Sequence, residues 1–272
     1  IRSLNEVVNS AHVSIEEQSD GSGCLIAYVS LQPQAIKTME VQLIEQRLGE
    51  WQEVFETAHL GNDTDDLELD LTSWNSSITG QAIAQQEMVE WIDGTMEHIA
   101  SLEPKQLLEI GCGTGLLLFR YAEFTEEVHA LDLSASVLEQ VNTHVNAKGL
   151  KHVHLHHGDA LEVGKFESET FDTIVLNSVA QYFPSASYFN KVLDKMLNSL
   201  QQGGSIFIGD IRNLDLSRHF AIEVEHHKSD ARLFSIEEFE RKIALRLHNE
   251  EELLISPAFF VNLKNDYPEI SK

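Results

Sequence analysis

The chain has 272 residues, of which 42% are apolar and 23% are charged, so it is long enough to bury a full core in one or two domains. A formal net charge of −25 would repel a phosphate backbone, which argues against a nucleic-acid substrate. Basic runs for a membrane surface and apolar runs long enough to span a bilayer are both missing, and the 2 cysteines fit a reducing cytoplasm.

The first 34 residues differ in pattern from the rest. Leu4–Val8 fits a short helix, and Leu25–Leu31 fits a strand after the turn Asp20–Gly23. One strand with one helical turn cannot form a core, so we expect residues 1–34 to pack against a partner or against the main domain. The start at Ile1 lacks an initiator Met and a signal-peptide h-region, which predicts a fragment of a larger protein.

Two helices are predicted next, over Glu40–Thr57 and Ile83–Leu102, from apolar residues at helical spacing. The acidic stretch Asp63–Asp70 between them is predicted to be a solvated loop, with a docking face for a basic partner as the alternative. Trp74–Gln81 is a polar, turn-rich segment around one Trp.

From residue 106 onward, predicted strands and helices alternate. The strands are 106–110, 127–132, 152–156, 171–177 and 204–210; the helices are 114–123, 135–147 and 186–200; residues 157–170 form a loop with a helical turn. This alternation predicts an α/β fold, a mainly parallel sheet with helices on both faces and an N-terminal helical extension. After Asp215 the pattern is mostly helical, with Pro257 at a helix start after Ser256.

The most informative segment is Glu109–Gly115, which lies between two apolar runs and predicts a strand, a glycine turn and a helix. Gly111, Gly113 and Gly115 allow tight-turn angles and a close approach of a ligand to the main chain. The following helix start presents free N–H groups to that ligand. Because many nucleotide-binding folds use such a turn, it is a weak signal alone.

Acids after the next two strands extend this signal to a predicted adenosine pocket. Asp132, followed by Leu133, can accept both ribose hydroxyls, and Asp159, followed by Ala160, can reach the adenine edge. Glu109 would oppose a pyrophosphate but suits a ligand with an ammonium group and a positive sulfur. The predicted cofactor is therefore S-adenosylmethionine; the alternative is a tight turn with no ligand.

Candidate catalytic residues follow the fourth and fifth strands of the predicted sheet. Asn177, Gln181 and Tyr182 would face the cofactor's methyl group, with Asn177 also counted as cofactor-binding, because amide and phenol groups can orient an amine without charging it. The alternative is a capped loop with Tyr182 and Phe183 in the core. Asp210 could accept the proton of an attacking ammonium, or it could pair with Arg212 or cap a turn.

Histidines at alternate positions near 152–157 raise the question of a metal site. His152, His154, His156 and His157 lie on or beside one predicted strand, but neither a Cys nor an acid pair completes a ligand set. The sequence therefore predicts solvated strand histidines and no metal.

Five segments together resemble the methyltransferase domains that are embedded in nonribosomal peptide synthetases. They are Trp74–Gly80, Glu109–Arg120, Asn177–Pro184, Ile206–Arg212 and Glu250–Phe260, and the resemblance runs from about Leu43 to Lys272. The glycine loop is shared by all class I methyltransferases, whereas the blocks at Trp74, Asn177 and Glu250 are more specific. In that family the domain interrupts the small C-terminal subdomain of an adenylation domain.

The resemblance implies that residues 1–34 are a fragment of that subdomain and that residues 35–272 are a Rossmann-like class I methyltransferase. Family members continue into two further strands, so we expect a sheet edge truncated at Lys272. The implied reaction is N-methylation of an aminoacyl or peptidyl group on the phosphopantetheine arm of a peptidyl carrier protein. Methylation of oxygen, sulfur or carbon, epimerisation of the α-carbon and an inactive structural insert stay open.

Further implied partners are the adenylation domain of the same synthetase and a small adenylation-activating protein; neither nucleic acid nor a membrane is expected. We expect Trp74–Thr79 to be a lid over a pocket formed by Asn177, Gln181, Tyr182 and Asp210, with a channel to solvent for the carrier arm.

Overall fold

The computed structural model describes residues 7–17, 23–59, 69–72, 74–168, 170–228 and 235–271. The chain divides into two compact units, Ile1–Gly49 and Glu50–Lys272. The assignment of residues 1–34 to an adenylation subdomain stays a prediction. None of the described helices is both long enough and apolar enough to cross a membrane.

The first unit contains an antiparallel pair of strands, β1 (Val8–Glu17) and β2 (Gly23–Leu31). The strand predicted over Leu25–Leu31 is confirmed. The helix predicted over Leu4–Val8 is wrong at Val8, which begins β1, and residues 4–6 lie outside the described residues. Ala11, Val13 and Ile15 alternate with polar residues at the period of a strand, a signal that favours β1.

Helix α1 (Pro33–His59) begins earlier than the predicted Glu40, because the fixed φ of Pro33 and its missing N–H suit the first position of a helix. The predicted turn at Asp20–Gly23 is wrong at Gly23, which begins β2, and its other residues and most of the acidic stretch lie outside the described residues. Asp70 is described and corrects the solvated-loop prediction at that position: it is buried and accepts a 3.0 Å hydrogen bond from the Thr72 N–H.

The second unit contains a five-stranded sheet of order β5-β4-β3-β6-β7 whose pairings are all parallel. The strands are β3 (Gln106–Ile110), β4 (Glu127–Asp132), β5 (Val153–His157), β6 (Phe171–Asn177) and β7 (Leu200–Gly209). This confirms the predicted α/β fold. Strand order reverses between β3 and β6, so the crevice that holds ligands in such sheets opens at their carboxyl ends.

Helices flank this sheet in chain order. They are α2 (Gln85–Ala100), α3 (Leu118–Tyr121), α4 (Ala135–Lys148), α5 (Ala186–Ser199), α6 (Ser217–Lys228), α7 (Ile236–His248) and α8 (Pro257–Asp266). The predicted helix start is confirmed, since Pro257 opens α8, and the Ser256 hydroxyl caps the helix by accepting from the Ala258 N–H. The helix predicted over 114–123 is shorter than expected, because Gly115 has a φ of +89° and the chain stays in turns up to Leu118.

The core explains why the middle strands are almost wholly apolar. Leu107 and Leu108 on β3 and Ile174 and Val175 on β6 are fully buried, as expected for parallel strands covered on both faces. A short 3-10 helix, Ala160–Lys165, confirms the helical turn predicted in the loop after β5. The packed strands hold the residues at their carboxyl ends in fixed positions.

Candidate active site

The loop after β3 has left-handed backbone at each of its three glycines. Gly111, Gly113 and Gly115 have φ values of +77°, +51° and +89°. A Cβ on Gly111 would lie 2.3 Å from Val179 Cγ2, and one on Gly115 would lie 2.6 Å from Phe119 Cε2. The loop therefore combines left-handed turns with close contacts, as the sequence predicted.

Asp132, the last residue of β4, joins this loop to the second strand. Its Oδ2 accepts a 2.8 Å hydrogen bond from the Gly113 N–H, and its Oδ1 accepts a 2.9 Å bond from the Ser134 N–H. Each carboxylate oxygen keeps a further lone pair, so the predicted bonds to ribose hydroxyls remain possible. Burial raises the pKa of Asp132, and the bonds from Ser134 and Gly113 oppose that rise.

Glu109 is a buried acid on β3 that accepts a hydrogen bond from the Tyr121 hydroxyl. Burial raises the pKa of Glu109 to about 8, the Tyr121 bond opposes the rise, and the Asp132 charge adds to it. The free protein thus holds this carboxyl mostly protonated at neutral pH. A cation beside it would favour the ionised form, which fits a ligand that carries an ammonium group.

The residues predicted to surround adenine lie next to the end of β4. The Gly158 N–H donates a 2.9 Å bond to the Asp132 carbonyl, which brings the end of β5 beside that of β4. Asp159 caps the 3-10 helix by accepting a 2.7 Å bond from the Leu161 N–H, and Ala160 is buried at its start. The Leu133 carbonyl lies 3.0 Å from His157 Nε2.

The predicted catalytic residues Asn177 and Asp210 lie at the ends of two neighbouring strands, β6 and β7. Asn177 ends β6 and its amide donates to the Ser178 hydroxyl at 3.2 Å, which in turn donates to Asp210 Oδ2 at 2.7 Å. A Cβ on Gly209 would lie 2.1 Å from Asn177 Oδ1, so the glycine makes room for the amide over the end of β7. The structure therefore brings these two residues together.

Gln181 and Tyr182 form part of a short 3-10 helix just after β6. The Oε1 atom of Gln181 is buried and has no hydrogen-bond partner among the described residues, which leaves an acceptor for a ligand. Tyr182 is 37% exposed and its ring centroid lies 4.5 Å from that of Trp51. The alternative that placed both Tyr182 and Phe183 in the core holds for Phe183, which is buried, and is wrong for Tyr182.

Arg212 pairs with acids from the Glu250–Phe260 block. Its guanidinium donates to Glu252 and lies 3.5 Å from Glu250 Oε2. The alternative that paired Asp210 with Arg212 finds no support among the described ion pairs. Backbone bonds from Leu253 to the Gln181 carbonyl (2.7 Å) and from Ile255 to the Arg212 carbonyl (2.9 Å) place the block beside the candidate site.

The predicted lid around Trp74 is a closed turn. The Ser76 N–H donates to the Gln81 carbonyl at 2.8 Å, and the Trp74 ring lies 4.8 Å from that of Trp91 on α2. Two surface hollows lie on α1 and include none of the predicted site residues. One is lined by Gln34, Lys37, Thr38, Val41 and Gln42, and the other by Glu50, Glu53, Val54, Thr57 and Ala58. The lid and the channel stay predictions.

Sequence reasoning missed the supporting residues of the site. Tyr121 carries no motif signal, and its role depends on the turn that brings α3 back against β3. Val179 fills the space that Gly111 leaves open. Ser178 lies inside the Asn177–Pro184 block, and only its positive φ of +58° shows that it differs from its neighbours.

Comparison with known proteins agrees with this geometry. Residues 107–204 match the model of a family described as a methyltransferase domain. The chain is 39% identical over 208 residues to chondramide synthase cmdD of Chondromyces crocatus, which covers 76% of this chain and 5% of that protein. It is 34% identical over 277 residues to the nonribosomal peptide synthetase penN of Penicillium thymicola, with coverage of 98% and 10%.

A third relative is the beauvericin nonribosomal cyclodepsipeptide synthetase of Beauveria bassiana, 31% identical over 273 residues and covering 97% of this chain and 8% of that protein. The chain thus spans a tenth or less of the length of these relatives. The matched family runs from β3 to the first half of β7, which includes the glycine loop, Asp132, Asp159 and Asn177 but not Asp210. The chain therefore belongs to the methyltransferase domains that nonribosomal peptide synthetases contain.

Proposed function

We propose that this domain transfers a methyl group from S-adenosylmethionine to the amino nitrogen of an aminoacyl or peptidyl group held on the phosphopantetheine arm of a carrier protein. The domain family makes the protein a methyltransferase. The single observation that carries the acceptor assignment is the hydrogen-bonded series Asn177–Ser178–Asp210 at the ends of β6 and β7, beside the reversal of strand order.

The residues of the glycine loop fit the cofactor. S-adenosylmethionine, when bound, supplies a methyl group on a positively charged sulfur. Glu109, a buried carboxyl with a pKa of about 8, would ionise opposite the cofactor's ammonium group. Asp132 and Leu133 would hold the ribose, and Asp159 with Ala160 would contact adenine.

The acceptor side needs a neutral amine held in line with the methyl group, since methyl transfer to nitrogen consumes the nitrogen lone pair. Asp210 would accept a proton from the incoming ammonium, and the Ser178 hydroxyl would hold that carboxylate in place. The amides of Asn177 and Gln181 and the partly exposed Tyr182 would orient the amine. The unpartnered Oε1 of Gln181 is an acceptor of the kind an amine N–H requires.

The partners follow from the relatives that the chain resembles. Similarity to cmdD, penN and the beauvericin synthetase supports a place inside a larger synthetase, with an adenylation domain and a carrier protein in the same assembly. Residues 1–34 would then belong to the adenylation subdomain that the methyltransferase interrupts. The cytoplasm is the proposed location.

The test is transfer of label from methyl-labelled S-adenosylmethionine to an aminoacyl-loaded carrier protein. We expect label on the carrier with the wild-type domain and a slower rate with Asp210→Asn, whose affinity for the cofactor stays close to that of the wild type. If cofactor affinity falls while turnover of bound substrate does not, Asp210 has a structural role. Absence of label with a cofactor-saturated wild-type domain would overturn the proposal.

A further inference from the structure

A cluster of three imidazoles and one carboxylate lies on strands β4 and β5, away from the strand ends that form the candidate active site. Glu127 and His129 belong to β4, and His154 and His156 belong to β5. His129 is paired in register with His154. Because alternate residues of a strand share a face, these four side chains project from the same side of the sheet.

Three of the four side chains bring their ligand atoms together, and the two distances from Glu127 match the spacing of a tetrahedral metal site. Glu127 Oε1 lies 3.4 Å from His129 Nε2 and 3.3 Å from His154 Nε2. The three ligand atoms all lie within 4.8 Å of one another. Zinc–ligand bonds of about 2.0–2.1 Å in a tetrahedron place neighbouring ligand atoms about 3.3–3.4 Å apart.

His156 contacts the ring nitrogen of His129 that does not face Glu127. Its Nε2 lies 2.9 Å from His129 Nδ1, and the two rings stack with an interplanar angle of 6°. Phe166 packs edge-on against both rings, and Phe171 packs edge-on against His129. A metal-binding histidine usually donates its second ring N–H to such a partner, which fixes the tautomer and aims the other nitrogen at the metal.

The contact between the rings of His129 and His156 also suits a cation, because it occupies Nδ1 of His129 and leaves Nε2 on the side of the Glu127 carboxylate. When His129 Nδ1 donates to His156, the lone pair of His129 Nε2 faces the Glu127 carboxylate. Two acceptors so close together are stabilised by a cation between them.

We propose that Glu127, His129 and His154 bind a divalent transition-metal ion of the zinc class, with His156 as the positioning residue for His129. Two imidazole nitrogens and one carboxylate oxygen form a three-ligand set whose fourth position is left for water. The sequence prediction of no metal considered the β5 histidines alone; Glu127 and His129 supply the ligands that it lacked. The ion would join the edge strand β5 to β4 and take no part in methyl transfer.

Calorimetric titration of the tag-free protein with Zn²⁺ tests the proposal. We expect one high-affinity site in the wild type. Binding of Zn²⁺ should weaken by roughly a hundredfold or more in Glu127→Gln, His129→Gln and His154→Gln. In His156→Gln it should weaken roughly 10–100-fold. The matched control is the double variant His226→Gln/His227→Gln, which removes two exposed imidazoles from α6. This control should bind Zn²⁺ as the wild type does.

Two further measurements keep the outcome decisive. Co²⁺ in the same site should give the intense visible absorption of tetrahedral coordination, and His154→Gln should abolish it. Zn²⁺ should raise the unfolding temperature of the wild type and not that of His154→Gln, a variant of a half-exposed side chain that is expected to fold. Equal Zn²⁺ affinity in the wild type and in His154→Gln, or loss of binding in the His226→Gln/His227→Gln control, would overturn the assignment.

Discussion

The Ser178 hydroxyl donates a 2.7 Å hydrogen bond to Oδ2 of Asp210, and the two residues have left-handed φ values of +58° and +57°. Each residue directly follows one of two neighbouring parallel strands, β6 and β7. Such backbone costs on the order of 1–3 kcal/mol at a residue other than glycine and persists only where the surroundings enforce it. The strained pair therefore fixes the Asp210 carboxylate at the end of β7, one strand away from the crevice between β3 and β6.

Substitutions at Ser178 distinguish the effect of its hydroxyl from the effect of its strained backbone. Ser178→Ala loses the hydrogen bond and keeps the strain, whereas Ser178→Gly loses both. We expect both variants to slow methyl transfer roughly 10–100-fold, the rate equivalent of losing one bond to a charged group, with unchanged cofactor affinity. Single-turnover rates measure the first effect and calorimetry the second. Wild-type turnover in Ser178→Gly would show that the hydroxyl does not position Asp210.

The affinity for S-adenosylmethionine should rise with pH because of Glu109. Its pKa of about 8 in the free protein means that the carboxyl must lose a proton before it pairs with a cationic cofactor. Affinity should therefore increase from about pH 6 and level off above about pH 8, with proton release detected by calorimetry in buffers of different ionisation enthalpy. Glu109→Gln is the control and should show weak, pH-independent binding. An equal rise of affinity with pH in that variant would show that Glu109 does not cause the pH dependence.

The same residue predicts how folding stability changes with pH. The folded pKa of Glu109 is raised above its unfolded value, so its contribution is fully present below the unfolded pKa and is lost as pH rises toward about 8. Over that range the unfolded chain has released a proton that the native protein still holds. In chemical denaturation of the cofactor-free domain, the wild type should lose more stability across this range than Glu109→Gln does. An equal loss of stability in the wild type and in Glu109→Gln would show that other acids cause the effect.

Removal of the Asp132 carboxylate should weaken the binding of both S-adenosylmethionine and S-adenosylhomocysteine. Loss of a charged acceptor for ribose hydroxyls should cost roughly 1.5–3 kcal/mol in Asp132→Ala. The variant also frees the Gly113 and Ser134 N–H groups, so unfolding without cofactor must be measured beside calorimetry. Unchanged affinity in Asp132→Ala would show that Asp132 is not part of the site. The cofactor affinity of Asp132→Asn, which keeps one oxygen acceptor, should lie between those of the wild type and Asp132→Ala.

The glycine loop gives a prediction with a matched control. Gly111 and Gly149 have φ values of +77° and +68°, but a Cβ on Gly149 would meet nothing within 4 Å, whereas one on Gly111 would overlap Val179. Gly149→Ala should therefore cost only the backbone strain, about 1–2 kcal/mol, and Gly111→Ala should cost more and weaken cofactor binding. Adding Val179→Ala should recover part of the loss. Equal stability of the two single variants would show that Val179 can move aside.

The sequence predicted the parts of the fold that depend on local pattern. The strands at 106–110 and 171–177 coincide with β3 and β6, because a buried parallel strand is a short apolar run with clear ends. The helix after Gly115 was overestimated, since apolar residues in its first turn also suit a buried loop. Strand β1 was missed although its apolar positions alternate at the period of a strand, because the run is short and follows a segment that suits a helix.

For the site, the sequence predicted the residues that follow strands and missed those that approach from elsewhere in the chain. Asn177 and Asp210 could be placed because topology alone brings the ends of β6 and β7 together. The bond from Tyr121 to Glu109 and the ion pair of Arg212 with Glu252 depend on how short segments fold back, which periodicity does not encode. For the same reason Glu127 and His129 were not connected with the β5 histidines.

The most direct test of the central claim is the chemical identity of the product on the carrier protein. The domain is incubated in deuterated buffer with S-adenosylmethionine and an aminoacyl-loaded carrier, and the released amino acid is analysed by mass spectrometry. N-methylation of the amino group, with one equivalent of S-adenosylhomocysteine and no deuterium at the α-carbon, is the predicted result. Deuterium at the α-carbon without a methyl group would identify an epimerase instead, and an unmodified amino acid would identify a structural insert; either result would contradict the account.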